Sequence, residues 1–189
     1  MISQNLARRL TLCLNTYTRF LGVIPFPHAS ASAFALDGQT VITNRHCVDE
    51  IDCDGFKIKG ANSTPNRIIT PQKAIAPDLA VVRYARPQPF LQVTLSKSTL
   101  GKGDSVWFVD SRHGLQQRNV TSLRAKSALR DHCLGQFTGE VSPGTSGAPL
   151  FDENGHVVGL IYGEVQQRKT SKPEGQFILM SDLMHHVYD

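Results

Sequence analysis

Three short segments carry the side chains that could do chemistry together. The first is PGTSGAP at residues 143–149, a serine set among glycines between two apolar, strand-like runs. Acyl transfer needs a nucleophile exposed at a sharp turn, and glycine beside it lets backbone amides converge where a tetrahedral oxyanion forms. Ser146 would be that nucleophile, and the amides of Gly144 and Ser146 would hold the oxyanion. The second segment is VITNRHCVD at residues 41–49, an apolar strand running into His46, whose side chain is suited to moving protons near neutrality. The third is APDLAVVRY at residues 76–84, in which Asp78 opens an apolar strand, a costly place for a carboxylate unless it has a partner. Taken singly, each segment has a plain account: a Gly-Ser-Pro turn, an isolated histidine, and an Asp that shapes a turn after Pro77. Taken together they offer a nucleophile, a general base and a carboxylate to orient that base.

The elements that must position these groups read as strands. Short apolar segments recur about every ten residues between turn signals, the pattern of an all-β protein: ASAFAL, TVITN, GFKIKG, NRIIT, LAVVRY, SVWFVD, LGQFTGE, APLF, HVVGLIYG and QFILM. Asp37-Gly38 fits a tight hairpin after the first, and Glu153-Asn154-Gly155 another after APLF. Arg86-Pro87-Gln88-Pro89 cannot continue a central strand and divides the chain into halves of similar size. Residues 1–20 are read as an amphipathic helix packed on the domain. Arg8 and Arg9 precede an apolar stretch, as in an export signal, but Asn15, Thr16, Thr18 and Arg19 interrupt it. SDLMHHVYD, residues 181–189, reads as a closing helix.

The 189 residues, 40% hydrophobic and 19% charged, suit one folding unit with a real core. The net charge of +4 comes from scattered Lys and Arg, with no aromatic-basic motif, which argues against nucleic acid as a partner. No apolar run reaches membrane-spanning length, so no membrane partner is expected. His46, Cys47 and Cys53 could be three metal ligands, but no fourth stands at a recognisable spacing, so neither metal nor other cofactor is expected. Cys13 and Cys133 are read as small buried hydrophobes.

The three segments resemble the signature blocks of chymotrypsin-like serine proteases, in that family's His, Asp, Ser order. TNRHCVD is similar to the TAAHC block, PDLAVV to DIALL, and PGTSGAPLFDENGHVVGL to GDSGGPL with the cleft-lining strand after it. Within the family the likeness is nearest to HtrA-like and other bacterial trypsin-like peptidases, through the GKGDSV segment and the PGxSG motif, without a PDZ-like region. It covers about residues 30 to 165.

The resemblance implies two antiparallel six-stranded β-barrels with a cleft between them and short helices at both ends. As one peptidase domain over 1–189, this places the N-terminal helix at 1–20, the first barrel at 21–87, the second at 90–180 and the C-terminal helix at 181–189. It implies a serine endopeptidase in which Ser146 attacks, His46 carries the proton and Asp78 fixes the imidazole, acting on a protein or peptide substrate through an acyl-enzyme. Ile161, Tyr162 and Gly163 would take the substrate as an added strand. Glu140, six residues before Ser146, would floor the primary pocket and favour basic side chains.

Departures from the family shape further expectations. Trypsin-type zymogens activate when a new N-terminus pairs with an Asp preceding the nucleophile; Thr145 stands there, so no processing of that kind is expected. Cys47 matches a disulfide position in the family, but its usual partner strand, ASAFAL, lacks cysteine, which points to reduced thiols and a cytoplasmic setting. Arg45 is read as an ordinary surface residue. With no regulatory segment recognised, an activating or inhibiting protein partner is envisaged. The rival readings are a silent or partner-gated binding module on a protease fold, and a viral-type protease that also binds nucleic acid.

Overall fold

The structure, a computed structural model, describes residues 1–20, 24–49, 54–70, 77–126, 133–165 and 173–187. Helix α1 (Gln4–Leu10) leads into β1 (Leu12–Phe20), β2 (Ile24–Ala35) and β3 (Thr40–Thr43), then a 3₁₀ turn (Arg45–Cys47), β4 (Gly55–Ile58), β5 (Arg67–Ile69) and β6 (Ala80–Arg83). The second half runs β7 (Ser105–Asp110), β8 (Gly114–Lys126), β9 (Cys133–Thr138), β10 (Pro149–Phe151), β11 (Val157–Val165), β12 (Glu174–Leu179) and α2 (Met180–Val187).

Every segment read as a strand is one, and two more join them. The helix expected over 1–20 stops at Leu10, and Leu12–Phe20 instead forms β1, paired with β2 and β4. The cause is legible in hindsight: Leu12, Leu14 and Thr16 point inward while Cys13 points out, a period of two rather than 3.6. Thr16, Tyr17 and Thr18 favour a pleated surface over a helix. Cys13 is accordingly exposed, not buried as expected; the side chains of Cys53 and Cys133 lie outside what the structure describes.

Each half carries six strands. The second closes into a barrel in the order β10-β11-β12-β9-β8-β7. The first, ordered β4-β1-β2-β3-β6-β5, is a half-barrel among the described residues, its outer strands four and three residues long. The stretch Arg86–Pro89 holds no strand, as its prolines require.

Three apolar clusters divide the work. Leu14, Ala33, Ala35, Val41, Ile58, Val82 and Tyr84 fill the first sheet. Val106, Phe108, Phe137, Leu150, Ile161 and Phe177 fill the barrel, where Phe137 stacks between Phe108 and Phe177. Phe34, Ile42, Leu79 and Val81 of the first half meet Trp107, Phe151 and Leu160 of the second, together with Ile2, Ala7 and Leu10. Fully burying side chains of this size contributes about 1.5–3 kcal/mol each, so the shared layer fixes how the halves meet. The functional segments lie along that seam. No described helix is long and apolar enough to cross a membrane.

Candidate active site

The turn Arg45–Cys47 follows β3 directly and carries His46 out of the first sheet. Asp78 sits one residue before Leu79 at the entry to β6, the neighbour of β3, so sheet pairing alone brings the two together. Asp78 has no exposed surface. Its Oδ2 is hydrogen-bonded to His46 Nδ1, and its Oδ1 accepts from the His46 backbone N–H at 3.1 Å. The Asn44 side-chain amide donates to the Asp78 carbonyl at 3.0 Å and anchors the turn from behind.

Arg45, expected at the surface, is a further neighbour: its side chain is 28% exposed and its Nε stands 3.9 Å from Asp78 Oδ1. The carboxylate thus faces the Arg45 guanidinium and the hydrogen-bonded His46 ring, which is what makes its burial tolerable. His46 is half-buried, its ring edge-on to Tyr162 with centroids 5.7 Å apart. Burial works against an imidazolium, but hydrogen bonds to Asp78 and Cys47, and the electrostatic pull of both, outweigh it and raise the His46 pKa to about 10.

Ser146 comes from the second half, on the loop between β9 and β10. Gly144 adopts φ +91° and Gly147 φ +88°, a region open to glycine. At Gly147 a Cβ would overlap the Ser32 carbonyl oxygen and the Thr43 hydroxyl, so chain crowding as well as conformation requires glycine there. The Ser146 carbonyl accepts from the Ser32 N–H at 2.8 Å and lies 3.8 Å from the Cys47 thiol. The Ser32 hydroxyl donates to the Gly144 carbonyl at 2.9 Å.

Among the described residues, neither the Gly144 nor the Ser146 N–H meets an acceptor. Both residues line a cavity of about 230 Å³ with His46, Cys47 and Pro143, closed by Thr16, Ala29, Ser30 and Ala31. Two unpartnered amides beside a serine and a histidine make a cradle for a developing negative charge. A larger cavity of about 750 Å³ lies elsewhere, between Leu95–Leu100 and Leu179–Met184.

The expected substrate strand divides. Ile161 is fully buried and both of its backbone groups are taken, its carbonyl by the Gly147 N–H at 2.9 Å and its N–H by the Ala148 carbonyl at 2.9 Å. Tyr162, at a register shift in β11, and Gly163 are partly exposed, and a Cβ on Gly163 would stand 3.5 Å from Ser146 Oγ. Glu140 is exposed beyond the end of β9 and is not among the residues lining the His46–Ser146 cavity. No cluster of metal-ligating side chains forms among the described residues; Cys53 lies outside them.

Sequence reasoning missed the packing around the serine loop: Ser32, the Cys47 thiol, and a buried carboxylate at Asp110. Only Asp110 left a signal, an Asp ending a strand just before the turn Ser-Arg-His-Gly.

A family model described as a trypsin-like peptidase domain matches residues 31–160, which include all three functional segments. Among solved structures, the Rv3671c protease of M. tuberculosis in its active form is similar at a TM-score of 0.69 and 13% identity, over 96% of this chain and 81% of that one. Its inactive form gives 0.67 and 13%, over 96% and 89%. An inactivated protease paralogue of the scabies mite gives 0.69 and 17%, over 97% and 94%. At these identities the likeness is one of fold, and one of these folds belongs to an inactivated protein. No curated protein matches the chain in sequence.

Proposed function

The chain belongs to the trypsin-like peptidase domain family, and on that premise we propose that it is a serine endopeptidase working through Ser146, His46 and Asp78. The observation that carries this reading is the buried Asp78 carboxylate on His46 Nδ1. It fixes one tautomer of the neutral imidazole and leaves Nε2 as the nitrogen that can take a proton. Ser146 Oγ attacks the scissile carbonyl as His46 Nε2 removes its proton, and the carbonyl oxygen becomes an oxyanion held by the Gly144 and Ser146 amides. The imidazolium then returns the proton to the leaving amine. Water repeats the sequence on the acyl-enzyme, releasing the acid and restoring Ser146. Tyr162 and Gly163 offer the backbone edge for a peptide strand, and Glu140 would favour cleavage after basic residues.

Two observations favour a second reading, a silent or partner-gated module. One is the likeness to an inactivated paralogue. The other is the raised His46 pKa, which leaves the base protonated at neutral pH until something lowers it. Labelling with a fluorophosphonate serine probe separates the two. Wild type should label at a rate that Ser146→Ala abolishes and His46→Ala cuts by about 10³-fold or more. A folded wild-type chain that stays unlabelled across the pH range would remove the enzyme reading and leave the gated one.

A further inference from the structure

In trypsin-type zymogens the oxyanion loop is fastened by an Asp before the nucleophile, captured by a newly cut N-terminus. Thr145 occupies that position and cannot take part in such a pair. The loop nevertheless holds a defined shape, fastened from the end of β7.

Asp110, the last residue of β7, is 3% exposed. Its two oxygens serve different masters. Oδ1 accepts from the backbone N–H groups of Arg112 and His113, each at 3.0 Å, and lies 3.0 Å from His113 Nδ1, which closes the local turn. Oδ2 leaves that turn altogether. It accepts from the Ser142 N–H at 2.9 Å and stands 3.3 Å from the Thr145 hydroxyl. Ser111 extends the same grip: its N–H donates to Thr145 Oγ1 at 3.0 Å, and its hydroxyl donates to the Pro143 carbonyl at 2.7 Å.

Ser142, Pro143 and Thr145 are therefore each tied to Asp110 or Ser111, and the intervening Gly144 and following Ser146 are the residues whose amides remain unpartnered. A carboxylate that merely shaped its own turn would need one oxygen. Burying the second is costly unless the distant loop repays it with donors. Burial would raise the Asp110 pKa, but the hydrogen bonds from Ser142, His113 and Arg112 hold it well below the usual carboxylate range. The carboxylate is thus charged at neutral pH.

We propose that Asp110 is a positioning residue, a built-in latch that holds the Gly144 and Ser146 amides in oxyanion-binding orientation through Ser142 and Thr145, in place of a captured N-terminus. Its catalytic consequence rests on the proposed Ser146 chemistry; the latch itself does not.

The test compares wild type with Asp110→Asn, Thr145→Val and Thr145→Ser. Asn keeps the size but presents a donor where one oxygen received donors; Val removes the Thr145 hydroxyl at equal shape, and Ser restores it. Amide exchange of Ser142, Thr145 and Gly147, the loop amides that have acceptors, should quicken in Asp110→Asn and Thr145→Val, return towards wild type in Thr145→Ser, and stay unchanged in β2 and β3. Below the melting range, kcat on a peptide ester should fall about 10²-fold in Asp110→Asn, the scale of one lost oxyanion donor, with KM changed by less than about threefold. Should Asp110→Asn not fold, Thr145→Val carries the comparison. Unchanged exchange at Ser142, Thr145 and Gly147 overturns the latch whatever the rate. Quickened exchange with kcat intact overturns its positioning role. Quickened exchange in a protein whose wild type never labels at Ser146 keeps the latch and overturns the enzyme reading.

Discussion

Replacing Gly144 by Ala tests the oxyanion cradle with a single methyl group. Space is available: the new Cβ would find the Ser30 carbonyl oxygen at 3.4 Å and the Ser111 side chain at 3.6 Å, so the neighbours need scarcely move. Conformation is the obstacle, because φ +91° costs an L-residue about 1–3 kcal/mol. The chain can escape by turning the Pro143–Gly144 peptide over. That breaks the hydrogen bond from the Ser111 hydroxyl to the Pro143 carbonyl, a loss of about 1 kcal/mol. The flip is the smaller cost over most of that range, so the variant should adopt it.

A turned peptide points the residue-144 N–H away from the oxyanion, and losing one donor costs about 10²–10³ in kcat. The fold should scarcely notice, since about 1 kcal/mol lowers Tm by roughly 2–4 °C in a chain of this size. Steady-state hydrolysis of a peptide-ester panel, run beside thermal melting, reads both quantities on one preparation. A kcat within threefold of wild type, with Tm lowered as expected, would refute the assignment of the Gly144 amide to the oxyanion. A fall in Tm beyond about 12 °C would refute the claim that the substitution is sterically mild.

Gly147→Ala should behave oppositely: the methyl group meets the Ser32 carbonyl oxygen and the Thr43 hydroxyl, and making room breaks their 2.7 Å hydrogen bond and the Ser32–Ser146 link. With left-handed strain added, a loss of about 3–5 kcal/mol is expected, and a melting curve like that of wild type contradicts it. The His46 pKa of about 10 sets a pH dependence, since only neutral imidazole can act as base: the acid limb of kcat/KM should lie above 6.5 and toward 10. Linkage has a definite sign here, because a raised folded-state pKa contributes stability that is fully present below 6.5 and lost as pH rises through about 10. Removing the Cys47 contact by Cys47→Ala should shift the limb downward; a limb at or below 6.5 in wild type disposes of the raised pKa.

What the sequence disclosed and what it withheld follow the range of the interactions involved. Strands such as SVWFVD and HVVGLIYG announce themselves because their apolar residues are contiguous and both faces are covered. β8, GLQQRNVTSLRAK, does not, because Gln, Arg and Asn are indifferent strand formers; pairing with β7 and β9 on either side imposes its conformation. β1 was hidden by the helix before it, because residues 1–20 read as one amphipathic helix although the helix ends at Leu10. The three segments that carry His46, Asp78 and Ser146 were legible because each is a local block. Arg45 was not, since its role depends on Asp78, 33 positions away and beside it only through the pairing of β3 with β6. The Asp110 latch is the extreme case: the Asx turn is written in DSRHG, but nothing local says that the second oxygen reaches Ser142 and Thr145.

One residue does much to tie the two halves together beside the proposed site. His46 belongs to the first sheet and Ser146 to the barrel, and Ser32 of β2 is bonded on both sides of the seam. Its N–H meets the Ser146 carbonyl, its hydroxyl the Gly144 carbonyl, and its own carbonyl accepts from Thr43, three residues before His46. Replacing the buried Asp78 alone by an apolar residue would leave Arg45 and His46 without their carboxylate, so the change should cost stability as well as the orientation of the imidazole.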